Sequence, residues 1–176
     1  AQAILSEYQL RRETAGAFAE WFSIDPPYEE TFNGHPKNTY VNGGIASLTA
    51  GELAHAAFLY GREAYGWDII QRLMRLVERD GELHFFYDPE TGADLGGGPS
   101  GWGAAAIIDA IDDGLAGIRN GGICYDTLYF SPKWAITDMK QVKYITGLAL
   151  SHTFIESYFV LQEDGIKIQL ACPSDR

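Results

Sequence analysis

Two glycine-rich, aromatic-bearing loops constrain this chain most, because each runs straight into a helix built of small residues. The first is Tyr40-Val41-Asn42-Gly43-Gly44, leading into Ile45 to Gly61. The second is Gly96-Gly97-Gly98-Pro99-Ser100-Gly101-Trp102-Gly103, leading into Ala104 to Gly117. Glycines let the backbone turn sharply and let another group approach it closely. The first turn of a helix adds N–H donors that have no partner within the helix. Tyr and Trp add flat apolar faces with a polar tip, and Asn adds a group that both donates and accepts. Two such corners suggest two repeats of one design, with both loops facing one site. Flat apolar faces beside hydrogen-bonding groups suit a sugar ring.

The repeat fixes an architecture. Gly44 and Gly101 each precede a helix, and 57 positions separate them. Helices rich in Ala pack closely in an interior. The intervening segment Trp67 to Arg79 carries Trp67, Ile70, Leu73, Met74 and Val77 on one face and Arg72, Arg75, Glu78 and Arg79 elsewhere, which suits an outer position. An inner helix, an outer helix, a β-containing loop and another inner helix make one period of an α/α toroid.

Local signals fill in the rest. Residues 4–22 read as a helix, ended by Asp25-Pro26-Pro27. Residues 25–44 form a long irregular segment, and loops of that length are functional more often than most. Ser47 or Thr49 is expected to cap the helix over 46–61, with Glu52 completing a capping box. Asp80-Gly81 stops the next helix. Leu83 to Tyr87 reads as a short strand and Asp88-Pro89-Glu90-Thr91-Gly92 as a turn. A fourth helix runs to about Ile118. Residues 125–130, 141–150, 154–162 and 166–172 are β-rich, with a hairpin turn at Glu163-Asp164-Gly165. The expected class is α+β: α/α hairpins forming part of a toroid over 1–120, then a small antiparallel sheet over 121–176.

Charge narrows the partners. The net charge of −11 and pI near 4.6 disfavour nucleic acid and anionic membrane surfaces, both of which select basic proteins. No apolar run approaches the ~18 residues of a membrane-spanning helix. Cys124 and Cys172 are far enough apart for a disulfide without indicating one, and no CxxC pair marks a zinc or redox site. The glycine run lacks the Gly-Lys-Ser/Thr of a phosphate loop, and no GxSxG elbow is present. No metal or other cofactor is called for.

At Tyr40-Val41-Asn42-Gly43-Gly44-Ile45, Tyr87-Asp88-Pro89-Glu90-Thr91-Gly92 and Gly98-Pro99-Ser100-Gly101-Trp102, the chain resembles the C-terminal part of six-hairpin glycosidases, the (α/α)6-toroid glycoside hydrolases. That family often carries a tyrosine-asparagine-glycine-glycine step before an inner helix. It also often carries a tyrosine-(Asn/Asp)-x-x-Thr-Gly turn before an inner helix that starts with Trp. The resemblance covers about residues 28–118. Ser131-Pro132-Lys133-Trp134 and the sheet after it look like the β-rich appendix that follows some of these barrels. The resemblance implies a glycoside hydrolase, or the C-terminal portion of one, acting on an oligo- or polysaccharide. A noncatalytic sugar-binding or assembly module is the alternative, and a polysaccharide lyase the third reading. A toroid takes twelve helices, so the remainder of the barrel or another subunit is an expected partner.

Glycoside hydrolysis normally uses two carboxyl groups. In the resembling families the base is often a glutamate two residues before the turn tyrosine; this chain has Phe85 there. The carboxylates put forward as catalytic are Glu30 in the long loop, Glu52 within an apolar helix and Asp88 in the turn, where its other role is to cap local N–H groups. Glu52 and His55 are three apart on a helix but lack a third metal ligand. The residues put forward for substrate binding are His35, Tyr40, Asn42, Tyr87 and Trp102, with interior packing as their other reading.

Overall fold

The computed structural model describes residues 1–15, 18, 20–148 and 153–172, and of Cys124 and Thr153 the backbone alone. The last two residues of the β-rich stretch expected over 141–150 lie outside the described residues. The chain is of mixed α+β class and forms two compact units, Ala1–Ala110 and Ile111–Arg176.

The first unit holds four α-helices and one short ladder: α1 (Gln2–Ala15), β1 (Ile45–Ala46), α2 (Ser47–Leu59), α3 (Glu63–Asp80), β2 (Phe86–Tyr87) and α4 (Gly101–Asp109). Helix α2 lies at the centre and packs on both α3 and α4. Small residues make this possible. A Cβ on Gly51 of α2 would come within 2.6 Å of the Ala106 Cβ on α4, and one on Gly66 of α3 within 3.1 Å of the Ala54 carbonyl on α2. The core is filled by Ile45, Ala50, Ala54, Ala57, Phe58, Ile69, Ile70, Leu73 and Tyr87, all 2% exposed or less.

Helix α1 covers Gln2–Ala15, with only Leu5 of it buried, and the helix expected over 4–22 does not reach residues 20–22. The reason lies in Glu20 and Trp21. Trp21 is fully buried, and its carbonyl accepts the Ala46 N–H at 2.8 Å, which ties the segment to β1. Glu20 is buried beside it, with its carboxylate 2.5 Å from the Arg72 guanidinium, which also lies 4.5 Å from the Trp21 ring centroid. A helix through residue 22 would forfeit these contacts.

Helix α3 begins earlier than the expected 67–79, and its buried face is Ile69, Ile70, Leu73 and Leu76: Met74, expected on the apolar face, is exposed, and Arg72, expected on the outer side, is drawn inside by Glu20. Gly81 takes φ 77° and its N–H closes the helix on the Val77 carbonyl at 2.8 Å. The start of α2 differs. Its cap residue is Ala46, without a side-chain cap bond; Ser47 is the first helical residue and Glu52 points to solvent, so the expected capping box does not form. The strand expected over 83–87 shrinks to two residues, paired Ile45 to Tyr87 and Ala46 to Phe86. Its other polar groups are taken by neighbours: the Leu83 carbonyl accepts from Ser100 N–H at 2.7 Å, the Phe85 carbonyl from Ser47 N–H at 3.1 Å.

In the second unit the chain runs through a π-helical turn (Ala110–Leu115), where a continuous helix to Ile118 was expected. Strand β3 (Ile118–Asn120) pairs antiparallel with β4 (Leu128–Phe130). Strands β5 (Gln141–Leu148), β6 (Thr153–Gln162) and β7 (Gly165–Ala171) form an antiparallel sheet in the order β5-β6-β7. The Tyr144 hydroxyl donates to Asp112, and Thr146 Oγ1 donates to the same carboxylate at 3.2 Å, which pins the sheet to the π-turn. Burial and that carboxylate push the Tyr144 phenol well above its ordinary range.

Candidate functional site

The first glycine corner is built around one side chain. Asn42 is fully buried, and its amide nitrogen faces the carbonyls of Glu30 at 3.0 Å and of Tyr28 and His35 at 3.2 Å. Its carbonyl oxygen accepts the Tyr28 N–H at 2.8 Å. One side chain thereby gathers residues 28–35 over the start of α2. Gly43 has φ 88°, and a Cβ there would lie 2.5 Å from Pro27, so only glycine fits beneath that loop. Tyr40 takes φ 44°, a left-handed conformation that is uncommon for a bulky residue. The corner holds it there through the Gly44 N–H, which donates to the Tyr40 carbonyl at 2.9 Å. The Tyr40 ring sits between His35, with centroids 4.7 Å apart and nearly parallel, and Phe86 at 4.3 Å.

The second corner is laid across β2. Phe86 N–H donates to the Gly96 carbonyl at 3.3 Å, and Leu95 N–H to the Phe86 carbonyl at 3.0 Å. Gly96 and Gly97 take φ 98° and 79°. Ser100 then starts α4: its Oγ accepts the Gly103 N–H at 3.1 Å, so the hydroxyl is the helix cap. Trp102 follows in the first turn, 70% exposed, with its ring 5.4 Å from Phe85. Phe85 in turn lies edge-on to Phe86 at 4.5 Å. A continuous run of rings therefore connects His35, Tyr40, Phe86, Phe85 and Trp102.

Between the corners lies an open cleft of about 330 Å³ lined by Tyr40, Phe85, Gly97, Pro99, Ser100, Gly101 and Trp102. Three aromatic rings form its walls, no lining side chain among the described residues is charged, and the start of α4 faces it. Two larger clefts of about 370 and 410 Å³ adjoin α1 and α3. They are lined by charged groups already engaged, such as Arg12 on Asp68 at 3.0 Å and Arg62 on Gln9 at 2.7 Å.

The structure brings Tyr40 and Trp102 together in the aromatic cleft and places the other expected residues elsewhere. His35 supports Tyr40 from behind. Asn42 and Tyr87 are fully buried. The Tyr87 hydroxyl accepts the His84 N–H at 2.8 Å, and burial pushes its phenol up. Glu30 is exposed in the loop, and Glu52 is exposed on α2 rather than buried in it. Asp88 accepts from the Thr91 N–H and Thr91 hydroxyl at 2.8 Å and from the Glu90 N–H at 3.0 Å. Those bonds, the Thr91 N–H first, hold its carboxyl below the usual range. None of these three carboxylates lines the cleft.

Two features escaped the sequence. Phe85 is a cleft wall, visible in sequence only as the residue standing where a glutamate was expected. Glu82 and Asp94 flank His84, whose Nδ1 lies 3.1 Å from Asp94 and 3.7 Å from Glu82. No local pattern links positions 82, 84 and 94; the glycine loop folding back on β2 does so. Among the described residues no group of His, Cys, Asp and Glu could hold a metal ion, and no helix is long and apolar enough to cross a membrane.

Comparison of the chain with known protein families, with characterised proteins and with solved structures gives no match.

Proposed function

We propose that this chain is a carbohydrate-active protein whose aromatic cleft holds a sugar ring, and that it forms the sugar-holding, C-terminal part of a toroid-type glycoside hydrolase. The observation that carries the reading is the convergence of both glycine corners on one cleft, with Trp102 exposed at its edge. Sugar rings present flat C–H faces that stack on indole and phenyl rings, and their hydroxyls take up nearby backbone donors. The α4 start supplies such donors, since the Gly101 and Trp102 N–H groups precede the first intrahelical bond. The α2–α3 hairpin and the small-residue contact between α2 and α4 support the toroid part of the reading, four helices being present among the described residues.

A noncatalytic sugar-binding module is the second reading, and one observation favours it. The cleft wall carries Phe85 where the resembling enzymes often carry a base, and no carboxylate lines the cleft. Binding and turnover are tested separately. Oligosaccharides should bind the purified chain, and Trp102→Ala should weaken that binding by about tenfold or more, equivalent to about 1.4 kcal/mol. Binding that Trp102→Ala leaves unchanged would remove the cleft as the site. Reducing ends released by the chain from a bound oligosaccharide would favour the hydrolase, and binding without release the module.

A further inference from the structure

We infer that the cleft selects neutral pyranosyl units and rejects anionic sugars such as uronates; this rests on the carbohydrate reading above and sharpens it to a substrate class. The first ground is the lining. All seven residues around the cleft are uncharged, and three are aromatic. A uronate carboxylate facing this lining would give up part of its water without a cation in return, and an unpaired charge pays for each such loss.

The second ground is what lies behind the wall. Gly98 sits between the two lining residues Gly97 and Pro99. A Cβ on Gly98 would approach Glu82 Oε1 to 2.7 Å and would collide with His84 Nδ1. The loop backbone is therefore pressed against Glu82 and His84, and His84 forms a trio with Glu82 and Asp94. Two carboxylates around one imidazole leave the trio negative even with the histidine protonated. The start of α4 opposes it with only about half a positive charge. Net negative charge therefore lies behind this part of the cleft wall.

The third ground is the lack of a compensating cation: among the described residues no Lys or Arg lines the cleft. Lys37 in the long loop is paired with Glu29 at 2.6 Å, and Arg79 in the last turn of α3 with Asp80 at 2.6 Å. The net charge of −11 repels polyanions at longer range, an effect that salt screens. Neutral rings meet none of these penalties and keep the stacking face of Trp102.

The test is a titration of the whole chain with length-matched oligosaccharides at about 20 mM and about 150 mM salt. The probes are neutral gluco-, manno- and xylo-hexaoses against hexagalacturonate and hexaguluronate, followed by calorimetry and repeated with Trp102→Ala and Trp102→Phe. At least one neutral oligosaccharide should bind about tenfold or more tighter than either uronate, with the gap widening at low salt. Its binding should be lost in Trp102→Ala and largely kept in Trp102→Phe. A uronate that binds as tightly as the best neutral sugar, in a Trp102-dependent way, overturns the selectivity and leaves the carbohydrate reading standing. Trp102-dependent binding by none of the probes overturns the carbohydrate reading itself, and this inference with it.

Discussion

The two glycine corners look alike in sequence and do opposite work in the fold. The Tyr40–Gly44 corner is closed: Asn42 is fully buried, Gly43 lies under Pro27, and four backbone groups converge on one amide. The Gly96–Gly103 corner is packed on one side, where Gly97, Gly98 and Gly103 press on Phe85, His84 and Ser47, and open on the other, where a Cβ on Gly96 or Gly101 would meet nothing and Trp102 stands 70% exposed. In the first corner the polar side chain serves the backbone, and in the second the backbone serves to present a side chain. Glycines before a small-residue helix thus identify a corner without saying which way it faces. What decides is whether a neighbouring segment folds over it, as residues 28–35 do over the first.

The contrast is broken most severely at Asn42. Asn42→Ala strands the Tyr28 N–H and three carbonyls on the part-buried underside of the loop, and unpaired buried groups cost about 1–3 kcal/mol each before water or relaxation relieves them. A net loss of about 3 kcal/mol is expected, read as a lower urea midpoint at unchanged slope. A loss below about 1 kcal/mol would mean that the first corner is as loosely held as the second. Tyr87→Phe comes next. It removes only the acceptor of the buried His84 N–H, and about 2 kcal/mol is expected from the same measurement.

Asp88 lies at the foot of the open corner, and its effect is smaller and pH-dependent. Its folded carboxyl titrates below its unfolded value of about 3.9, because it accepts from Thr91 and Glu90. A depressed carboxyl contributes stability above the unfolded pKa and loses it as pH falls through the folded one. Asp88→Ala should therefore cost about 1 kcal/mol near neutral pH, with the difference from wild type closing below about pH 4. A difference independent of pH would assign the loss to the turn's shape rather than to the charged bonds.

How much of this was legible in the sequence depends on how local each cause is. The end of helix α3 was readable because Asp80-Gly81 acts locally, whereas its buried face was only partly so, since Arg72 is drawn inside by Glu20, 52 positions away, and Met74 is left exposed. The β5-β6-β7 sheet was readable from runs of β-favouring residues and the turn at Glu163-Asp164. Tyr40 and Trp102 as partners were readable because each stands beside a glycine corner. The loss of helix at residues 20–22 was not, since it is set by Glu20 and Trp21 reaching Arg72 and Ala46, 52 and 25 positions away. The burial of Asn42 was not, since its four partners belong to a loop whose path no periodicity encodes. Phe85 was hidden for the same reason: its place on the cleft follows from Ser100 bonding Leu83 across 17 residues.

Trp102 gives the smallest effect on stability and the sharpest reading of the comparison. A side chain that serves the fold is costly to remove, and one that serves a ligand is cheap. With its ring 70% exposed and one edge contact to Phe85, Trp102→Ala should change the unfolding free energy by only about 0.5 kcal/mol. The α4 cap does not depend on it, because Ser100 bonds Gly103 rather than Trp102. The measurement is the same urea midpoint used for Asn42→Ala, so the two corners are compared on one scale. A loss near that of Asn42→Ala would make Trp102 a structural residue and leave the second corner without a presented group. A near-silent effect on stability, beside the expected loss of sugar binding, would separate the two corners by function as their burial already separates them by structure.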